Sequence, residues 1–92
     1  MQQHCYLVSY DLCQPNRDYQ ELYSVLRGFE HWGKLTESFW AIVSVLNEIE
    51  IRNLLMKYID KSDRLIVIRC SGIAEWVNLM ASNEWLKENL VK

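Results

Sequence analysis

The stretch KLTESFWAIVSV, residues 34–45, decides which sheet this chain can build. Its β-branched and aromatic residues read as strand, yet twelve residues is at the long end for a single strand. A break near Ser38 gives two strands and the element order β-α-β-β-α-β. That order predicts an α+β domain, a four-stranded antiparallel sheet covered on one face by two helices, the ferredoxin-like arrangement. Left whole, the stretch would instead belong to a small parallel βαβαβ sheet.

The flanking segments supply the other elements. Residues 4–10, HCYLVSY, alternate as a strand, with Cys5, Leu7 and Ser9 on one face and Tyr6, Val8 and Tyr10 on the other. Asp18 with Glu21 three residues on reads as an Asp version of a capping box. Tyr19, Leu22, Tyr23, Leu26 and Phe29 follow at helical spacing, and the helix is expected to end near Gly28, before a turn at Trp32 and Gly33. A second helix begins at Asn47, capped by Asn47 and Glu50, with Ile51, Leu54, Leu55, Tyr58 and Ile59 as its apolar stripe. DKSD then turns the chain into RLIVIRC, the last strand. Residues 1–72 thus form the ferredoxin-like domain. Residues 73–92 form a C-terminal helical tail in which Trp76, Val77 and Met80, then Trp85, Leu86 and Leu90, read as two short amphipathic turns that pack over the sheet or onto a dimer partner.

A core built from 92 residues buries roughly 60–65% of the surface of the unfolded chain, so a homodimer is expected. Half of the residues are hydrophobic and eleven are aromatic, which supplies apolar area for a core and an interface. Cys5, Cys13 and Cys70 form no CxxC pair, and an odd number leaves one thiol over, which fits a reducing cytoplasm. The longest apolar run, FWAIVSVL, is far short of the roughly 20 residues of a membrane helix, and the start of the chain lacks signal-peptide character, so a soluble protein away from membranes is expected. With a net charge of −2, any nucleic-acid binding would rest on a local basic patch.

Right-handed crossovers in this topology put the first strand in the middle, antiparallel to the strand starting near Ser38 and to the one starting near Arg64. Asp11 at the end of the first strand, Ser38 and Asp63 then fall on one edge of the sheet, where the first helix also starts. Helix N-termini and arginine forks favour phosphate, and Arg17 sits just before that helix. Carboxylates suit Mg²⁺, which takes one or two of them with water and substrate phosphates. Two copies of Asp11 across a dimer two-fold would make a better site than one.

The apolar strand ending in YD, the arginine-bearing loop, SFW with Ser38 followed by aromatics, and SDRLIVI resemble the CRISPR-associated protein 2 family, whose small standalone relatives include virulence-associated protein D. The resemblance covers residues 5–70 in order and spacing. It implies a homodimer of ferredoxin-like domains and, in some members, Mg²⁺-dependent endonuclease cleavage of RNA or DNA. Carried onto this chain, it implies Asp11 as the metal-binding and catalytic acid, Arg17 as a phosphate-facing cation that is both catalytic and substrate-binding, Ser38 in the catalytic set, and Trp40 on the substrate. Departures are Thr36 where the family commonly has Gln, Trp40 where Phe is usual, few basic residues in the loop after Asp11, and the tail from Ile73.

Plainer accounts stand beside these. An Asp before a turn commonly accepts backbone N–H groups two residues on, which would explain Asp11 without a metal, and Asp63 reads as a turn residue of DKSD. Of Phe39 and Trp40, one is expected in the core and the other at an interface. His4 and His31 lack partners at metal-ligand spacing, and Cys13 reads as a bystander thiol. The alternative function is a non-catalytic dimeric scaffold that binds another protein or nucleic acid through its sheet and tail.

Overall fold

The computed structural model describes residues 2–91, so residues 1 and 92, the outer ends of the two expected segments, lie outside the described residues. The elements run β1 (His4–Asp11), α1 (Gln20–Arg27), β2 (His31–Thr36), β3 (Phe39–Ser44), α2 (Glu48–Met56), β4 (Arg64–Arg69) and α3 (Asn83–Asn89). The four strands form one antiparallel sheet in the order β2-β3-β1-β4. Residues 34–45 therefore divide into two strands at a turn over Glu37 and Ser38, which removes the parallel-sheet alternative. Central β1 pairs Leu7 with Ala41 of β3 on one side and Val8 with Val67 of β4 on the other.

Alternation along β1 sorts the core into two layers. Tyr6, Val8 and Tyr10 join Trp40 and Ile42 of β3 beneath Leu22 and Leu26 of α1 and Ile51 and Leu55 of α2, all of them buried. Cys5 and Leu7 face the other way, toward a second buried cluster formed by Leu35, Ala41, Leu86 and Leu90. The sheet is thus covered by α1 and α2 on one face and by the tail on the other. Leu86 is fully buried, and a side chain buried to that extent contributes about 1.5–3 kcal/mol relative to exposure.

Local chemistry explains where the expectations held and where they did not. The capping box at Asn47 forms as read: the Asn47 side chain accepts from Glu50 N–H at 2.8 Å, and the Glu50 side chain accepts from Asn47 N–H at 3.0 Å. The box expected at Asp18 and Glu21 does not form. Asp18 instead accepts from Gln20 N–H at 3.0 Å, an Asx turn that delays the helix to Gln20. Trp32 and Gly33 are not a turn but part of β2. Gly33 is needed for room: a Cβ there would lie 2.8 Å from Cζ3 of Trp85.

In the tail, only the second expected turn is helical. Ser82 caps α3 by accepting from Trp85 N–H at 3.2 Å. The stretch holding Trp76, Val77 and Met80 is irregular, with Asn78 at φ 57°, and it is tied to the sheet by Met80 N–H donating to the Leu35 carbonyl at 3.0 Å. Leu35 lies in edge strand β2 at a register shift between Lys34 and Thr36, with no partner residue on β3. No helix among the described residues is long and apolar enough to cross a membrane.

Candidate functional site: the rim at the end of β1

Three segments meet where β1 ends: the loop from Leu12 to Tyr19, the β2–β3 turn, and the turn over residues 60–63 before β4. Antiparallel register places Asp11 directly opposite Arg64, and the Asp11 Oδ2 accepts from Arg64 Nη1 at 2.7 Å. Both side chains are open to solvent, Asp11 at 64% and Arg64 at 74% exposure. The Arg64 guanidinium also lies 3.7 Å from Cys13 Sγ.

Asp63, one residue before Arg64, does a different job. Its Oδ1 accepts from Cys13 N–H at 2.7 Å, and its Oδ2 accepts from the Tyr19 hydroxyl and from Asp60 N–H, each at 2.8 Å. Desolvation pushes the carboxyl toward the neutral form, but the bonds from Cys13, Asp60 and Tyr19 together outweigh it and hold its pKa below the usual carboxylate range. The same contact and its surroundings raise the Tyr19 phenol, through desolvation first and then the bond to Asp63. Asp63 is therefore the tie that joins the loop after β1 to the turn before β4.

Asp60 is likewise committed to its own turn. It accepts from the Ser62 hydroxyl at 2.7 Å and from Ser62 N–H at 3.2 Å, and these bonds lower its pKa. Gln14 reaches across to the Ser62 hydroxyl at 3.0 Å. Arg17 lies 3.7 Å from Asp60 and 5.4 Å over the ring of Tyr19, so it braces the loop against the turn.

Of the residues expected in the site, Asp11 projects from the rim as anticipated, whereas Asp63 points into the loops. Ser38 is exposed in the β2–β3 turn, and its carbonyl accepts from Tyr10 N–H at 3.1 Å, which brings it to the same end of the sheet. Trp40 corrects the reading as a substrate contact: it is 1% exposed, packs in the helix-side core, and donates its indole N–H to the Tyr10 hydroxyl at 2.9 Å. A base has no ring face to stack on there. Phe39 lies partly buried against the tail-side cluster.

The residue that sequence reasoning passed over is Arg64. The signal was available, since antiparallel pairing of the first and last strands puts the final residue of one opposite the first residue of the other. Among the described residues no group of three or more His, Cys, Asp or Glu side chains is gathered as for a metal ion. On this rim the open carboxylates are Asp11 and Glu37 of the β2–β3 turn, at 64% and 88% exposure, paired with Arg64 at 2.7 Å and Lys34 at 3.5 Å; Mg²⁺ takes one or two carboxylates. No protein-family model, no curated protein and no solved structure matches the chain.

Proposed function

We propose that the chain is a metal-dependent endonuclease of the CRISPR-associated protein 2 type, a homodimer of ferredoxin-like domains working in the cytoplasm on RNA or DNA. The strand order with β1 between β3 and β4 supports the ferredoxin-like reading. The observation that carries the function is the different employment of the rim carboxylates. Asp60 and Asp63 are engaged by loop donors, whereas Asp11 meets only the exposed guanidinium of Arg64 among the described residues. An exposed ion pair of this kind contributes little to stability and exchanges readily. A two-fold beside the end of β1 would set two such carboxylates face to face.

In that dimer Asp11 of each copy would hold Mg²⁺, which polarises a phosphoryl oxygen and lowers the pKa of an attacking water. Arg64 is placed to turn from Asp11 toward a phosphate, and Arg17 to stiffen the loop that carries the contact. Ser38 sits on the same rim with its hydroxyl side open to solvent. The test is a panel of RNA and DNA substrates with Mg²⁺ or Mn²⁺, alongside mass in solution by light scattering. The expected outcome is cleavage by a dimer that Asp11→Ala abolishes; cleavage that survives the substitution, or a strictly monomeric protein, refutes the paired-aspartate site.

A second reading, a dimeric scaffold that binds a partner protein, draws on one observation. An apolar groove of about 540 Å³ opens on the tail side, lined by Leu7, Leu35, Ile68, Trp76, Val77 and Leu79. Ile68 and Val77 are 47% and 78% exposed there. Cleavage lost in Asp11→Ala overturns this reading.

A further inference from the structure

Two thiols that the sequence separates by most of the chain are brought together by the β1–β4 register. Tyr6 pairs with Arg69, so the next pair outward is Cys5 with Cys70, and Cys70 N–H donates to the Cys5 carbonyl at 2.9 Å. Directly opposed residues in such a hydrogen-bonded antiparallel pair have Cα atoms about 5.5 Å apart, inside the range that a disulfide spans. Both side chains pack against the tail-side cluster, and the Cys5 thiol is close enough to Cys70 to lower its pKa. Both also line a cleft of about 250 Å³ with His4 and Arg69, so a small reagent can reach them.

We propose that Cys5 and Cys70 are a cross-strand dithiol that closes to an intrachain disulfide by exchange with a low-molecular-weight disulfide. The Cys70 thiolate attacks one sulfur of the reagent, forming a mixed disulfide and releasing the first reagent thiol. Cys5, having given its proton to solvent, then attacks Cys70 Sγ, which forms the Cys5–Cys70 bond and releases the second reagent thiol. The protein loses two electrons and two protons, and the reagent gains them. Contact with the Cys5 thiol lowers the pKa of Cys70, against a smaller opposing effect of burial, which favours Cys70 as the first nucleophile.

The bond would matter for the tail. Cys70 lines the apolar groove and stands two residues before Gly72, whose φ of 87° turns the chain out of the sheet. Closure fixes that exit point to the start of β1, so the oxidised chain presents a stiffer groove than the reduced one. Cys13 is exposed on the opposite end of β1 and serves as an internal control.

The experiment equilibrates the full chain, wild type and Cys13→Ser, with mixtures of reduced and oxidised glutathione, quenches with acid, alkylates, and maps the peptides by mass spectrometry. The expected result is concerted loss of alkylation at Cys5 and Cys70, with a monomer carrying the Cys5–Cys70 link in both proteins and no link in Cys70→Ser. Wild-type mapping alone suffices if a variant fails to fold. Cys5 and Cys70 that stay alkylatable where Cys13 takes up glutathione, or that end as glutathione adducts or links between chains, overturn the proposal.

Discussion

Gly33→Ala tests whether the tail belongs to its own sheet. The backbone at Gly33 is ordinary strand, so alanine meets no conformational barrier. The obstacle is Trp85: an added Cβ would lie 2.8, 3.0 and 3.1 Å from three atoms of its ring. Carbon atoms pack at about 3.5–4.0 Å, so the methyl would intrude by roughly 0.7 Å or more on a ring held between β2 and α3. Overpacking of this kind costs about 1–3 kcal/mol. In a Trp85→Ala background the obstacle is gone, and alanine should stabilise the fold by about 0.4–1 kcal/mol because it restricts the unfolded chain. The same substitution is thus expected to change sign between the two backgrounds, a coupling of about 1.4–4 kcal/mol. Urea unfolding followed by far-UV circular dichroism measures it for the four proteins of the cycle, at protein concentrations varied to expose any dimer contribution. Equal effects of Gly33→Ala in both backgrounds would refute the seating of Trp85 on Gly33, and with it the docking of α3 on β2.

Two further expectations follow from the hydrogen bonds. Tyr10→Phe keeps the packing but leaves the indole N–H of Trp40 buried without its acceptor, and should cost about 1–3 kcal/mol in urea unfolding; a neutral result would mean that the bond is dispensable. Asp63 has a lowered pKa in the fold, so its stabilising effect is complete above the unfolded carboxylate value, near 3.9, and is lost as pH falls through the folded value. Asp63→Asn should therefore lower the urea midpoint at pH 7 and flatten its decline below about pH 4, with Asp60 supplying the slope that remains; an unchanged decline would contradict the role of Asp63.

Short-range features and the central, antiparallel place of the first strand were legible, whereas side-chain contacts between distant segments were not, for a physical reason. The Asn47 cap needs only residues within one turn of helix, and the break at Ser38 needs only strand length, so both could be read locally. Asp18 was misread because its carboxylate had two local options, a cap or an Asx turn, and the sequence does not rank them. Gly33 reads locally as a turn residue, whereas in the fold it sits in a strand where space is required, and the side chain that demands the space lies 52 residues away in α3. Asp63 was placed correctly as a turn residue, yet its partners Cys13 and Tyr19 are 50 and 44 residues distant, beyond any local pattern. Asp11 and Arg64 stand between these cases: once the strand order is known, the register alone pairs them.

Coverage of the sheet on both faces limits how this domain can meet a polymer. Sheets that read single-stranded RNA lay its bases on aromatic rings standing on an open face. Here Leu86 and Leu90 lie over Leu35 of β2 and Ala41 of β3, and Trp40 is turned to the helix side. A nucleic acid at the rim would therefore be gripped by its backbone through Arg64 and its neighbours, with little base stacking. Contact of that kind is indifferent to sequence and weakens steeply with salt.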